Sequence, residues 1–194
     1  LALDKTKLEY PWVVPDILSD ECLIRVIQLW PNNIGQTLDF RHEGTVTSAN
    51  FNSDGNRIIT SSMDTTARIW NSNTGVEIFR FEEHKLPVLW ANFSPNDNLA
   101  VTASEDNTAM IWDVESGQHL HTLKGHTKDV RAANFSHDGR YIVTSGADGN
   151  VFVWDPQSGD LIDTVYRSTI PVWHSEFSHD NNYIIFSDVY GDIR

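Results

Sequence analysis

An imidazole held by an acid and aimed at a hydroxyl is the working arrangement of a nucleophile triad. His126, Thr144 and Asp148 could supply one, with Trp154 close behind them. The same residue set occurs twice more, as His84, Thr102, Asp106 and Trp112, and as His42, Thr60, Asp64 and Trp70. Each member lies 42 residues from its counterpart. An active site has no reason to appear three times at one spacing, so the repetition favours an architectural duty over catalysis. Other chemistries are weaker still. His119 and His121 are two apart, which puts both rings on one face of a strand and could begin a metal site. No matched third ligand accompanies them, so the expectation is a solvated outer strand and no metal. The SDG and SHDG segments look like pieces of calcium loops. They lack the carboxylate series that should follow, and read as hairpin turns. No Gly-rich phosphate cradle is present, and no cofactor is expected.

The 42-residue register extends well beyond the polar set. Phe51, Phe93, Phe135 and Phe177 keep it, as do Val46, Val88, Val130 and Val172. Gly75, Gly117 and Gly159 keep it too. The third unit shows what each copy encodes. DVRAANF (129–135), RYIVTSG (140–146), NVFVW (150–154) and DLIDTV (160–165) are short apolar and β-branched runs, separated by turns rich in Asp, Gly, Asn and Pro. No stretch shows a helical period. Each unit therefore predicts a four-stranded antiparallel meander. One such sheet cannot bury both faces alone. Copies stacked side by side can, and a repeat of this length and type points to an all-β propeller.

The segment from Leu123 to Asp155 resembles a WD repeat. It carries the Gly125-His126 pair, the Asp148 turn and the closing Trp154-Asp155. The second unit closes with Trp112-Asp113 and the first with Trp70-Asn71, while the positions matching Gly125 hold Arg41, Glu83 and Arg167. The resemblance covers roughly residues 24–194 and is specific for the fold rather than for a function. It implies that each His, Thr, Asp and Trp form a buried hydrogen-bond chain, pinning the loop before the inner strand to the middle strands of its blade. It also implies a protein-binding rim at one end of the central channel. The positions that should reach it are Thr45, Thr47 and Met63, then Pro87, Leu89 and Glu105, then Asp129, Arg131 and Ala147, then Pro171, Trp173 and Val189. Leu89, Glu105, Asp129, Arg131 and Trp173 are the expected partner-binding residues. Trp90 stands where other units hold Ser48, Ala132 and His174, and is expected to plug the channel.

The ends depart from the pattern. In the fourth unit Ser168, Phe186 and Tyr190 replace the His, Thr and Asp, so apolar packing must hold it. At the front, LIRVIQLW (23–30) reads as a third strand with Trp30-Pro31 in the closing slot. Residues 1–22, with Pro11 and Pro15, form a linker or a divergent strand; the propeller segment is 23–194. Its repeats run at about 42–83, 84–125 and 126–167, with an incomplete repeat at 168–194. The result is three full blades and a partial blade at each end. The chain opens on Leu1 and stops in mid-pattern. The expectation is therefore a piece of a longer protein, with completion of the arc by another chain as the lesser option.

Composition narrows the function. Seven Trp, nine Phe and five Tyr exclude a disordered acidic tail, and the single Cys22 excludes a disulfide scaffold. A lone Cys fits a reducing compartment, so a cytoplasmic or nuclear setting is expected. No apolar run is long enough to cross a bilayer. The net charge of −13, with no basic cluster, argues against nucleic acid and anionic membranes and favours a basic protein or peptide partner. The expectation is a non-enzymatic interaction scaffold. Its rivals are a regulatory module fused to a signalling enzyme outside this window, and a structural subunit of a coat or ciliary assembly.

Overall fold

A computed structural model describes residues 22–27, 37–191 and 193. The described residues form strands and turns without a helix, so none is long and apolar enough to cross a membrane. Three complete blades follow one another in sequence. The first comprises β3 (Val46–Phe51), β4 (Arg57–Ser62), β5 (Ala67–Asn71) and β6 (Glu77–Phe81). The second comprises β7 (Val88–Phe93), β8 (Leu99–Ser104), β9 (Thr108–Asp113) and β10 (His119–Lys124). The third comprises β11 (Val130–Phe135), β12 (Ile142–Gly146), β13 (Asn150–Trp154) and β14 (Leu161–Arg167). Each is an antiparallel meander in chain order.

Two half sheets flank them. β1 (Cys22–Ile27) pairs with β2 (Thr37–His42), and β15 (Val172–Phe177) pairs with β16 (Ile184–Asp188). β1 takes the third-strand role expected of the front segment, but it starts at Cys22 and ends at Ile27. Trp30, most of residues 1–22, and the start of the fourth unit's third strand apart from Ile193 lie outside the described residues. The inner strands of successive units lie side by side: β3 against β7, β7 against β11, and β11 against β15. This is an arc of a propeller, with the tryptophans in circular order.

Burial explains the arrangement. The second strands β4, β8 and β12 are buried along nearly their whole length, because a neighbouring sheet covers each face. Their sequences are accordingly Ile, Val, Ala, Ser and Thr rather than alternating apolar and charged residues. Outer strand β14 alternates and is mostly exposed. The apolar cores lie between blades. Ile59 and Phe81 of the first share a core with Val88, Phe93 and Trp112 of the second. Val101 and Leu123 of the second do the same with Val130, Phe135 and Trp154 of the third. Fully burying one such side chain contributes about 1.5–3 kcal/mol, so these seams dominate stability.

Close approach fixes some turn residues. Gly149 sits at φ +81°, and a Cβ there would lie 2.1 Å from the Ser168 carbonyl oxygen of the next unit. Gly117 packs on the Phe79 ring of the preceding blade, which a Cβ would meet at 2.4 Å. These glycines let blades nest at separations that no other residue permits.

Candidate functional site

The three polar sets are assembled with near-identical geometry. In the second blade Trp112 Nε1–H donates to Thr102 Oγ1 at 3.0 Å. The Thr102 hydroxyl donates onward to His84 Nε2 at 2.8 Å, and His84 Nδ1–H donates to Asp106 at 2.8 Å. The third blade repeats this through Trp154, Thr144, His126 and Asp148 at 2.8, 2.9 and 3.0 Å. The first uses Trp70, Thr60, His42 and Asp64 at 2.9, 2.6 and 2.9 Å. The carboxylate can only accept, so the imidazole proton sits on Nδ1; Nε2 then accepts the threonine hydrogen, and the threonine oxygen accepts the indole N–H. The threonine oxygen is thereby committed on both sides and fully buried, unlike a nucleophile.

Each aspartate caps the loop that carries its histidine. Asp106 accepts from the Lys85 and Thr108 backbone N–H groups and from the Thr108 hydroxyl. Burial, the largest single influence, would raise its pKa, but these bonds and the one from His84 together hold it well below the usual carboxylate range. Asp148 is held low against burial by His126 and the Thr127 and Asn150 N–H groups. Asp64 is held low by Thr66 and His42. Burial lowers the His42 pKa despite the neighbouring carboxylate, which keeps this ring neutral.

The first blade adds a residue that the repeat pattern does not signal. Arg68 is buried and donates to Asp64 at 3.0 Å, to Glu77 at 3.2 Å and to the Arg41 carbonyl at 3.0 Å. The other blades hold Met110 and Phe152 there, so only alignment of non-identical positions would have revealed it.

The fourth unit lacks the chain. Ser168 Oγ accepts only a local bond from the Ile170 N–H. Phe186 packs on Tyr166 of the third blade with ring centroids 4.5 Å apart, and Tyr190 is exposed.

The rim positions prove to be built by a shared irregularity. In every inner strand the register skips one residue: Thr47, Leu89, Arg131 and Trp173. Each is the extra residue of a β-bulge, a device that re-aims a side chain. Across the bulge, the amides of Met63, Glu105, Ala147 and Val189 bond to the carbonyls of Thr45, Pro87, Asp129 and Pro171. This draws the three rim positions of each unit together. Asp129, Arg131 and Trp173 form one cluster. The Arg131 guanidinium lies 4.6 Å from the Trp173 ring centroid and bonds Asp129 at 2.8 Å. Trp173 remains 51% exposed, an unusual cost for an indole without a further partner. Leu89 and Glu105 are half-buried. Thr47 instead turns to the next blade, donating to the Val88 carbonyl at 2.6 Å.

Trp90 reaches across two units. Its Nε1–H donates to Asn134 at 3.1 Å and its ring meets His174 edge-on at 5.2 Å. Asn134 belongs to a series that the sequence reading passed over, although Asn50, Asn92 and Asn134 keep the 42-residue step. Asn50 donates to the Ala91 carbonyl, Asn92 to Asn134, and Asn134 to the Ser175 carbonyl. They staple each inner strand to the next.

The two outer-strand histidines do not share a face. A bulge between His119 and His121 expels Leu120. His119 then turns to Glu83 and Thr122, while His121 Nε2–H donates to the Gln157 carbonyl of the next blade at 2.9 Å. Both rings are half-buried, so the picture of a freely solvated strand is corrected as well. Among the described residues no three metal-binding side chains converge.

The family model described as WD domain, G-beta repeat matches residues 35–71, 75–113 and 117–155, more than half of the chain. The chain belongs to the WD-repeat family. A crystal structure of the computationally designed Ika4 protein is similar over 83% of this chain and 97% of its own, with a TM-score of 0.73 and 26% identity. No curated protein matches the sequence. The three matched units are those that carry the complete polar sets.

Proposed function

We propose that this WD-repeat arc is a protein-interaction scaffold whose binding surface is the bulged rim, centred on Asp129, Arg131 and Trp173 and extended by Leu89 and Glu105. WD-repeat propellers in general serve protein interaction rather than catalysis. The supporting observation is the Arg131–Trp173 stack: an exposed indole face and a half-buried guanidinium, both at bulges. Arg and Trp dominate interface energies when a partner covers them. The exposed Met63 and Val189 and the half-buried Leu89 add apolar surface at the corresponding rim positions of other strands. The net charge of −13 favours a basic partner and speeds its approach at low salt. The buried polar sets, on this reading, hold the platform rigid and meet no ligand.

The test is affinity capture with wild type and with an Arg131→Ala/Trp173→Ala double variant of equal melting temperature. Loss of a partner supports the reading. An unchanged capture profile removes these residues from the site.

A further inference from the structure

Six of the eight histidines turn a ring nitrogen to a protein partner. His42, His84 and His126 serve the polar sets, His119 and His121 hold outer-strand contacts, and His174 lies 3.8 Å from the Glu176 carboxylate. His137 and His179 differ. Among the described residues no hydrogen bond or ion pair takes a ring nitrogen of either, and both residues are exposed. They meet each other instead, with ring centroids 4.9 Å apart and planes at 71°.

The backbone brings them together. His137 sits in the SHDG turn (136–139) between β11 and β12, and His179 in the SHDN turn (178–181) between β15 and β16. The His137 backbone N–H donates to Asn181 Oδ1 at 2.7 Å, which ties the two turns across the seam. Ser53 makes the same bond to Asp97 at 2.9 Å between the first two blades. The first two turns hold Ser53 and Pro95 where the last two hold imidazoles. The neighbouring carboxylates are committed within their own turns. Asp138 accepts from the Ser136 hydroxyl and from Arg140, and Asp180 accepts from the Ser178 hydroxyl and from Asn182. They add negative charge beside the rings and leave the ring nitrogens as the open donors.

Neutral imidazole is a preferred ligand of zinc and copper. With metal–nitrogen bonds of about 2.0–2.1 Å and an angle at the ion between square and tetrahedral, two imidazole ring centres lie about 4.5–5.2 Å apart. The observed 4.9 Å falls within that span, so the rings need only turn in place. We propose that His137 and His179 form a two-imidazole site for a divalent zinc or copper ion, with water in its remaining positions, and that the ion clamps the fourth unit's hairpin to the third blade. The clamp acts at the unit that lacks the buried polar chain, where Ser168, Phe186 and Tyr190 stand in its place.

The tag-free 194-residue chain, titrated with Zn(II), Cu(II) or Mg(II) alone, tests this. Zn(II) and Cu(II) should raise the melting temperature, because an ion that binds the folded chain stabilises it by mass action. Mg(II), which seeks oxygen ligands, should not. Bound Cu(II) should show the electron paramagnetic resonance of two coordinated imidazole nitrogens. His137→Gln and His179→Gln should melt like wild type without metal and bind Zn(II) at least tenfold more weakly, since even an outer-shell partner commands about 10–100-fold in metal affinity. Zn(II) should slow amide exchange in β15 and β16 of wild type and not of these variants. A His119→Gln/His121→Gln variant should keep the wild-type affinity. Zn(II) that leaves wild-type melting or β15–β16 exchange unchanged overturns the proposal. So does full-strength binding by either single variant, or binding lost with the outer-strand pair instead.

Discussion

The third blade and the half sheet after it share one register but are held by different forces. In the third blade Asp148, His126, Thr144 and Trp154 run as one hydrogen-bonded chain from loop to core. In the trailing half sheet the equivalent positions are Ser168 and Tyr190, which make only local bonds, and Phe186, which packs on Tyr166. Yet β15 pairs with β16 as β11 pairs with β12, with the bulge at the same place. The apolar periodicity is thus enough to set strand pairing and to aim Trp173. What the polar chain adds is a lock between the loop and the middle strands. Its absence leaves the trailing sheet dependent on apolar packing against the third blade.

The largest expected effect strikes all three polar sets at once. Asp64, Asp106 and Asp148 titrate far lower in the folded chain than the ordinary 3.8. Their contribution is therefore complete above about pH 5 and drains away as the pH falls towards the folded values. The neutral His42, whose pKa burial lowers from 6.5, adds to the loss once the pH drops below its unfolded value. Together these should remove several kcal/mol on the order of a carboxylate pair's linkage each, seen as a falling melting temperature between about pH 5 and pH 2. A flat profile over that range would contradict the bonding described for the three aspartates.

Trp112→Ala should come next, at about 3–5 kcal/mol by chemical denaturation, since it empties a buried site stacked on Phe81 and orphans Thr102. Asp106→Ala should cost less, about 2–3 kcal/mol, because His84 and Thr108 lose their acceptor while the Lys85 amide regains water. Asn134→Ala should cost about 1–2 kcal/mol by weakening the staple to β15 and freeing Trp90. Tyr190→Ala, at the matching position of the trailing sheet, should stay within about 0.5 kcal/mol. If Tyr190→Ala matched Asp106→Ala, the contrast between the two regions would collapse.

Much of this was legible in the residues. The tryptophan, phenylalanine and valine steps gave the strand count, the meander order and the circular arrangement, because an apolar face must be buried whatever surrounds it. Strand limits in the third unit differ from the expected ones by at most two residues, β14 running on to Arg167. The bulges were not legible. Nothing in Val130–Phe135 marks a surplus residue, and only pairing against β12 shows that it is Arg131. The same blindness misjudged His119 and His121, whose two-residue spacing promised one shared face. Arg68 was hidden because its acceptors, Thr66, Asp64, Glu77 and the Arg41 carbonyl, come together only when the blade folds, and the other units hold apolar residues at its position. The Asn50, Asn92 and Asn134 staple was visible as a period but not as a role, since its partners, two backbone carbonyls and the Asn134 side chain, belong to the next unit.

Amide hydrogen exchange, resolved strand by strand at neutral pH, tests most directly whether the polar chains lock the blades. Amides of β8 and β12 should exchange slowest, those of β16 much faster, and Asp106→Asn should release the second blade's loop and middle strands while leaving the third blade's protection in place. Equal protection of β12 and β16, or an Asp106→Asn variant that exchanges like wild type, would contradict it.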